Sequence, residues 1–486
     1  MRPIEPRAGT RLPLRPGNRT LTITALLASS LLAGCTSFSR DGGFSAVEQV
    51  ASTHLGKDVQ WQRSQADADA AAGRVAELLA QPLSADTAVQ IALLNNKGLQ
   101  AAFFELGISE ADLVQSGRLP NPGFSFGRLT KGDEVELERG LHFNLARLLA
   151  LPLTREVESR RFERTRSNAG LQVISLASDT RKAWIQAVAA EESLHYLRQV
   201  QQAAEAGAEL GRRMAAAGNW NKLNQAREQR FYADATLNLA RATRLQNATR
   251  ERLTRLMGLW GGQTAFALPG RLPDLPPSAR ELPDAERLAM AQRLDVKAAR
   301  LATEQTARNL GLSRATRFIN VLELGVVHNT SNQAPVQRGY EIRFELPLFD
   351  FSDARLKKAD AVYLQSLQQA AQTAVNARSE VREAYQSYRA SHDEAKHYRD
   401  EIVPLAKRIS DENLLRYNGM LIGVFELLAD ARSQIASING YIDSLRDFWL
   451  AQANLDMALL GKPGTGQAMS LPAAAQPAGG SQPAPH

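Results

Sequence analysis

Two kinds of periodicity occur along this chain. Long stretches rich in Ala, Gln, Arg, Leu and Glu favour helices, whereas a few short stretches place an apolar residue at every second position. The clearest short stretch is GYEIRFELPLF at 339–349. Its apolar residues Tyr340, Ile342, Phe344, Leu346 and Leu348 alternate with Glu341, Arg343, Glu345 and Pro347. A strand with one apolar and one polar face is therefore predicted inside a mostly helical chain.

A second stretch has the same pattern about 200 positions earlier. There Val135, Leu137, Leu141 and Phe143 alternate with Glu134, Glu136, Glu138 and His142. In both strands we expect one face to be wholly apolar and the other mostly charged or polar. Each strand is preceded by another short strand, so the pattern predicts two hairpins.

Three landmarks recur at one separation of 201 positions. Gly218 and Gly419 have this separation, as do Trp184 and Tyr385 in the similar segments SDTRKAWIQA and SEVREAYQSY, and as do Phe143 and Phe344. A tandem duplication of a unit of about 200 residues is indicated, far longer than a solenoid repeat. One copy is predicted to contain a helix, a hairpin, and two long helices joined by a turn.

The domain boundaries follow from this duplication and from the Pro/Gly-rich segments. In the last helix, apolar residues from Leu428 to Trp449 have alternating spacings of three and four, which is typical of a coiled-coil seam. The predicted organisation is a leader at 1–34, an N-terminal segment at 35–83, a first repeat at 84–260 with strands near 122–130 and 134–146 and a helical turn near Gly218, a Pro-rich linker at 261–284, a second repeat at 285–460 with strands near 317–328 and 338–348 and a turn near Gly419, and a disordered tail at 461–486.

The N-terminus has the features of a secretory signal. Five arginines precede a 13-residue apolar run, LTITALLASSLLA, which is too short for the ~20 residues of a membrane-spanning helix. The sequence LLAGC that ends this region resembles a bacterial lipobox, which makes Cys35 the expected lipidation residue. The alternative is an unmodified thiol after a plain signal; Cys35 is the only cysteine, so it has no intramolecular disulfide partner.

The charge balance excludes one class of partner. The formal net charge is +7, but residues 1–34 contribute +4 of it. A remainder of about +3 gives no support for binding nucleic acid.

Four amphipathic strands cannot enclose a wide channel, because barrel diameter grows with strand number. Open strand edges are also excluded from lipid, where unpaired backbone groups cost several kcal/mol each. If these strands lie in a membrane, the chain must oligomerise to close the barrel. The alternative is a soluble four-stranded sheet that packs its apolar face on helices.

No catalytic, metal-binding or cofactor motif is expected to act here. GFSFG at 123–127 fits the G-x-S-x-G pattern, but that motif needs a strand, a sharp turn and a helix, whereas Ser125 lies inside a predicted strand. The sequence has no Walker A loop, no H-E-x-x-H and no Cys–His metal spacing.

Three segments carry a resemblance to a known family. They are IALLNNKGLQAAFFELGISEADLVQSGRLPNPGFSFG (91–127), ELPLFDFSDARLKKA (345–359) and RYNGMLIGVFELLADAR (416–432). The chain resembles the TolC-like outer membrane factors, in their efflux lipoprotein branch, over about 45–460. The resemblance implies a mainly α fold with a small β part, in which a homotrimer forms a 12-stranded outer membrane β-barrel continued by a periplasmic α-helical coiled-coil barrel.

The resemblance also implies candidate site residues. Family members often have Asp six and nine positions after the second tip glycine, where this chain has Phe425 and Leu428. An acidic ring at the aperture is therefore not expected at the usual positions, and the nearest acids are Glu426 and Asp430. The other expected residues are Gly218, Gly419, Arg416 and Tyr417 at the periplasmic turns, and Glu136, Glu138, Glu341, Arg343 and Glu345 in the barrel lumen.

The expected function is a passive exit duct for small molecules or ions. Its implied partners are an inner-membrane RND-type or ABC-type pump, a periplasmic adaptor and outer membrane lipid, and the expected location is the outer membrane, with a lipid anchor and a periplasmic extension. The alternatives are a type I protein secretion duct and a non-conducting, lipid-anchored periplasmic scaffold. The substrate, the pump and the locking of the closed state are left open.

Overall fold

A computed structural model describes residues 37–319, 321–346 and 348–463. The predicted leader, Cys35, Pro347 and the greater part of the predicted tail lie outside these residues. The chain divides into two compact units. Within the described residues, one unit, here called the sheet unit, comprises 37–46, 103–167 and 298–371; the other, here called the helical unit, comprises 47–102, 168–297 and 372–463.

The described residues are mainly helical with one small antiparallel sheet, which confirms the predicted fold class at this level. The strands are β1 (Gly123–Lys131), β2 (Glu134–Asn144), β3 (Leu322–Ser331) and β4 (Gln337–Phe344). The helices are α1 (Ser45–Leu55), α2 (Gln65–Leu79), α3 (Ala85–Asn95), α4 (Lys97–Ser116), α5 (Leu145–Ala216), α6 (Lys222–Met257), α7 (Ala285–Gln292), α8 (Leu294–Ala315), α9 (Asp353–His397), α10 (Val403–Asn418) and α11 (Val424–Leu460).

The sheet has the strand order β1-β2-β3-β4, and every neighbouring pair is antiparallel. The hairpins from the two repeats therefore pair through β2 and β3. β3 begins at Leu322, five residues later than the alternation predicts, and β4 ends at Phe344, so Glu345, Leu346 and Leu348 follow the strand. Glu345 still donates its backbone N–H to the Val321 carbonyl at 3.3 Å.

Three helical segments of the structure are interrupted or contain a proline. The segment that follows Ser84 is divided into α3 and α4 at Asn96, whose side chain accepts a hydrogen bond from the Leu99 N–H at 3.0 Å. Helix α5 extends over 72 residues and contains Pro152. A π-helical turn at Tyr398–Ile402 separates α9 from α10, because Pro404 has no N–H for the regular ladder.

An aromatic side chain at the same repeat position bonds to the backbone in each repeat of the helical unit, as donor in one copy and as acceptor in the other. Trp184 donates its indole N–H to the Leu83 carbonyl at 2.7 Å, just before α3. Its counterpart Tyr385 accepts the backbone N–H of Leu282 at 3.3 Å, just before α7. In both copies an aromatic residue of a long helix thus fixes the chain ahead of the repeat's first helix, which agrees with a duplicated unit.

The Pro-rich segment 261–284 belongs to the core of the helical unit. After a short 3₁₀ turn at Gly261–Thr264 it contains no helix or strand, and Phe266, Leu272 and Leu275 are buried in the main apolar cluster. The Tyr388 hydroxyl accepts the Arg280 N–H at 2.9 Å. The segment therefore contributes buried area and is not simply a spacer.

A charged cluster lies within the helical unit around Arg293, whose side chain is 1% exposed. Its guanidinium donates to Asp295 at 2.7 Å, to Glu380 at 2.6 Å and to the carbonyls of Ala377 and Ala458. Burial alone disfavours this charge, but the hydrogen bonds to the two carboxylates outweigh it and hold the pKa of Arg293 above its ordinary value.

Candidate channel-lining sheet and helical turns

The strand register assigns every side chain of the sheet to one of two faces, because residues paired across strands share a face. The first, here called the apolar face, includes the pairs Phe124–Leu141 and Val326–Tyr340. Most of its large side chains are exposed, and Tyr340 is 77% and Phe344 60% exposed. The apolar residues on this face are Phe124, Phe126, Val135, Leu137, Leu141, Phe143, Leu322, Leu324, Val326, Tyr340, Ile342 and Phe344.

The opposite face, here called the acidic face, collects all five glutamates of the strands. They are Glu134, Glu136, Glu138, Glu323 and Glu341. The sequence analysis proposed Glu136, Glu138 and Glu341 as lumen residues, whereas Glu134 and Glu323 were not among them. Lys131 and Arg343 are the only cationic strand residues there, so the face is strongly acidic.

Arg343 forms the ion pairs of the acidic face. Its two terminal nitrogens lie 3.2 Å from Glu323 and 3.1 Å from Glu341. The neighbouring strand β3 thus supplies one partner and β4 itself the other. The predicted lumen residues Glu341 and Arg343 are in direct contact, whereas Glu136 and Glu138 lie further along β2.

The prediction that β2 and β4 each have a wholly apolar face was wrong at one position in each strand. Arg139 of β2 pairs with His328 of β3, which pairs with Arg338 of β4, and all three are on the apolar face. Arg128 of β1 lies on the same face. Among the described residues none of these three arginines has an ion pair within 4.0 Å.

Ser125 lies within β1 and not at a strand–turn–helix elbow. Its hydroxyl is 2.9 Å from His142 Nε2, on the acidic face. The imidazole fits there because Gly140 and Gly325 flank it; a Cβ on Gly325 would lie 2.7 Å from His142 Nδ1. In the described part of the chain His142 has no carboxylate partner, so the pair lacks the third group of a hydrolytic triad.

The two helical turns differ in which residue takes the left-handed conformation. In the first turn, between α5 and α6, it is Gly218, with φ of 76°. In the second turn, between α10 and α11, Gly419 has φ of −80° and the next residue, Met420, has φ of 60°. The equivalence of the two glycines in sequence therefore does not extend to their conformation.

The predicted aperture residues lie close to the second turn. Arg416 pairs with Glu412 of its own helix at 3.3 Å, and Tyr417 is partly exposed. Glu426 is exposed in the first turn of α11, where the positive helix end favours a carboxylate. Asp430 lies one turn later, and its Oδ2 is buried without a hydrogen-bond partner among the described residues.

Sequence analysis missed the contacts that connect the two repeats near these turns. Glu228 of α6 is buried and paired with Arg432 of α11, and the Arg432 guanidinium lies 4.6 Å from the centre of the Phe231 ring. Arg227 is similarly 5.4 Å from the Phe425 ring. No pattern in the sequence marks Glu228 as buried or identifies Arg432 as its partner.

A charge cluster also occurs at the end of α5. Glu209 accepts hydrogen bonds from Arg212 and Arg213, which lower its pKa to about 2.

Within residues 37–319, 321–346 and 348–463, no group of three or more His, Cys, Asp or Glu side chains is arranged to hold a metal ion.

None of the helices in the described ranges is both long enough and apolar enough to cross a bilayer.

No protein-family model matches the sequence. A curated relative is the cobalt-zinc-cadmium resistance protein CzcC of Cupriavidus metallidurans, 26% identical over 291 residues, 58% of this chain and 66% of the relative. The match thus spans slightly less than two thirds of that relative's length.

Two solved structures show the fold. The Campylobacter jejuni CmeC outer membrane channel has a TM-score of 0.67 at 15% identity and covers 77% of this chain and 85% of its own. The outer membrane protein VceC of Vibrio cholerae has a TM-score of 0.64 at 15% identity, with coverages of 83% and 98%. The predicted resemblance is confirmed: the chain has the fold of the TolC-like outer membrane factors.

Proposed function

We propose that this chain is the outer membrane channel component of an efflux system, a passive duct formed by three copies. The observation that carries the proposal is the division of the sheet into an exposed apolar face and an acidic face. An exposed apolar face of this size is costly in water and favourable in lipid, whereas carboxylates favour a water-filled lumen.

Oligomerisation follows from the edges of the sheet. Strands β1 and β4 each have a neighbour on one side only, so each leaves one edge of the four-stranded sheet unpaired. Such edges cannot face lipid, and pairing with copies of the same chain satisfies their backbone groups. Three copies supply twelve strands, and a barrel of twelve strands is wide enough to hold the glutamates around a water-filled lumen.

The second helical turn is proposed as the docking end for a periplasmic adaptor, through which an RND-type or ABC-type inner-membrane pump acts. Its apolar side chains are unusually exposed: Met420 is 92% and Leu421 78% exposed. Exposed apolar groups at the end of a helical hairpin favour a protein partner. Glu426 and Asp430 are proposed to set the charge of the aperture beside it, and Arg416 and Tyr417 to restrain its opening.

Cations are proposed as the first substrates to test. The curated relative is named for cobalt, zinc and cadmium resistance. The acidic face is compatible with this, because rows of carboxylates raise the local concentration of cations. Lipid attachment at Cys35 remains a prediction from the sequence.

Single-channel recording in planar bilayers tests the proposal. The full chain should conduct as a heat-labile trimer, and its conductance should favour cations over anions. A protein that stays monomeric and non-conducting after extraction from membranes would instead support a periplasmic scaffold. Export of a polypeptide, with no change in metal or drug sensitivity on deletion, would support protein secretion.

A further inference from the structure

A row of basic side chains crosses three strands on the apolar face of the sheet. Arg139, His328 and Arg338 are direct cross-strand partners, with Phe126 at the β1 end of the row. Directly opposed residues have Cβ atoms roughly 5 Å apart. The two arginines are exposed and the histidine is half-buried.

Neither arginine of this row has an ion pair among the described residues. Basic groups placed directly opposite one another destabilise a sheet, and all five strand glutamates lie on the other face. Arg343 shows the contrast, because it contacts two carboxylates on the acidic face. Arg128, one row nearer the hairpin turn on β1, adds a further basic group to the apolar face.

The row separates wholly apolar rows nearer the helices from mixed rows nearer the hairpin turns. The next same-face row toward the helices is Phe124, Leu141, Val326 and Tyr340, all apolar or aromatic. In the other direction, Arg128, Leu137 and Thr330 lead to the hairpin turns. Tyrosine followed by cationic residues is the order expected where hydrocarbon meets lipid headgroups.

We propose that Arg139, Arg338 and His328, assisted by Arg128, bind the phosphate groups of an anionic lipid in the leaflet that surrounds the hairpin turns. Guanidinium groups match phosphate oxygens in pairs, and the apolar band below accommodates acyl chains. The inference rests on the proposed function, since it requires the sheet to lie in a bilayer.

The experiment is a lipid titration of the full-length trimer, extracted in mild detergent and followed by native mass spectrometry. The probes are a phosphorylated diglucosamine lipid and its dephosphorylated form. The variant combines Arg139→Gln with Arg338→Gln, and the matched control is Arg343→Gln on the opposite face of β4. Two lost cationic contacts should weaken binding of the phosphorylated lipid roughly 25-fold, at about fivefold per arginine.

The expected result has three parts. The wild-type protein and Arg343→Gln prefer the phosphorylated lipid, the double variant loses that preference, and inorganic phosphate alone does not compete at the lipid's concentration because it lacks acyl chains. Equal binding of both lipids by the wild-type protein overturns the inference. So does equal weakening by the double variant and the control, or displacement by inorganic phosphate.

A second measurement, made on the wild-type trimer, tests the inference even if the double variant fails to assemble. Binding of the phosphorylated lipid to the wild-type trimer should weaken steeply with ionic strength, and salt-independent binding refutes the inference. A trimer that conducts but does not distinguish the two lipids refutes this inference alone. A protein that prefers the phosphorylated lipid but never conducts refutes the proposed function alone.

Discussion

The helical unit and the sheet differ in the burial of their apolar side chains and in the ion pairing of their charged ones. In the helical unit Phe448 and Leu455 are fully buried, and the buried Arg293 has two carboxylate partners. On the sheet, aromatic side chains are exposed, and Arg139 has no ion pair among the described residues. The helical unit therefore completes its own core, whereas the chain itself leaves the apolar face of the sheet exposed, and the proposed bilayer would cover it.

The largest expected effect comes from removing the cation of the buried charge cluster in the helical unit. Arg293→Ala leaves Asp295 and Glu380 next to each other without a cation, which should cost about 3–5 kcal/mol of unfolding free energy. Thermal unfolding followed by circular dichroism measures the loss. The control is Arg300→Ala, whose exposed pair with Glu304 should contribute less than about 1 kcal/mol. Equal losses would mean that the buried cluster is no more important than a surface pair.

The next effect tests whether a bilayer covers the apolar face of the sheet. Phe344→Arg places a charge on the apolar face and should cost roughly 2–4 kcal/mol if the residue lies near the bilayer midplane. The measurement is the amount of heat-labile trimer in the outer membrane fraction. Glu341→Arg adds a cation to the acidic face and should leave assembly intact. If both variants assemble normally, the sheet does not lie in a membrane.

A smaller effect concerns a half-buried carboxylate of the helical unit that has no ion pair among the described residues. Glu192 accepts the Leu272 N–H at 3.2 Å, and burial raises its pKa. A raised pKa favours the folded state below about pH 4.5, and this advantage is lost as the pH rises through the folded-state value. Glu192→Gln should therefore stabilise the protein at pH 7 by less than about 1 kcal/mol, allowing for solvent screening.

The gain from Glu192→Gln should disappear at about pH 4, where the wild-type side chain is also neutral. Unfolding curves at the two pH values check this, with the exposed Glu205→Gln as the control that changes neither. A gain of equal size at both pH values would show that charge burial is not its cause.

The sequence predicted local features of both regions well and non-local features poorly. Period-two alternation located the strands and the two faces, because it depends only on neighbouring residues. The row from Arg139 to Arg338 depends on the pairing of β2 with β3, which lie almost 200 positions apart. The alternation at 134–145 was judged from the apolar positions on either side of Arg139, so the basic residue between them was overlooked.

The helical unit shows the same limit. Proline content predicted a linker at 261–284, but it carried no information about the burial of Leu272 and Leu275. Likewise, the 201-residue separation predicted that Gly218 and Gly419 mark turns, whereas the left-handed residue of the second turn is Met420. Periodicity identifies elements; packing between distant segments decides their contacts and exact backbone conformation.

The smallest effect on stability gives the sharpest test of the two faces. Arg343→Glu removes the cation that pairs with Glu323 and Glu341, and the change in stability should be within about 0.5 kcal/mol because the site is exposed. Reversal potentials under a salt gradient should shift toward greater cation selectivity. Arg338→Glu, on the same strand but on the apolar face, should leave selectivity unchanged. A shift of equal size in both variants would mean that Arg338 also faces the ion pathway, and the assignment of the two faces would be wrong.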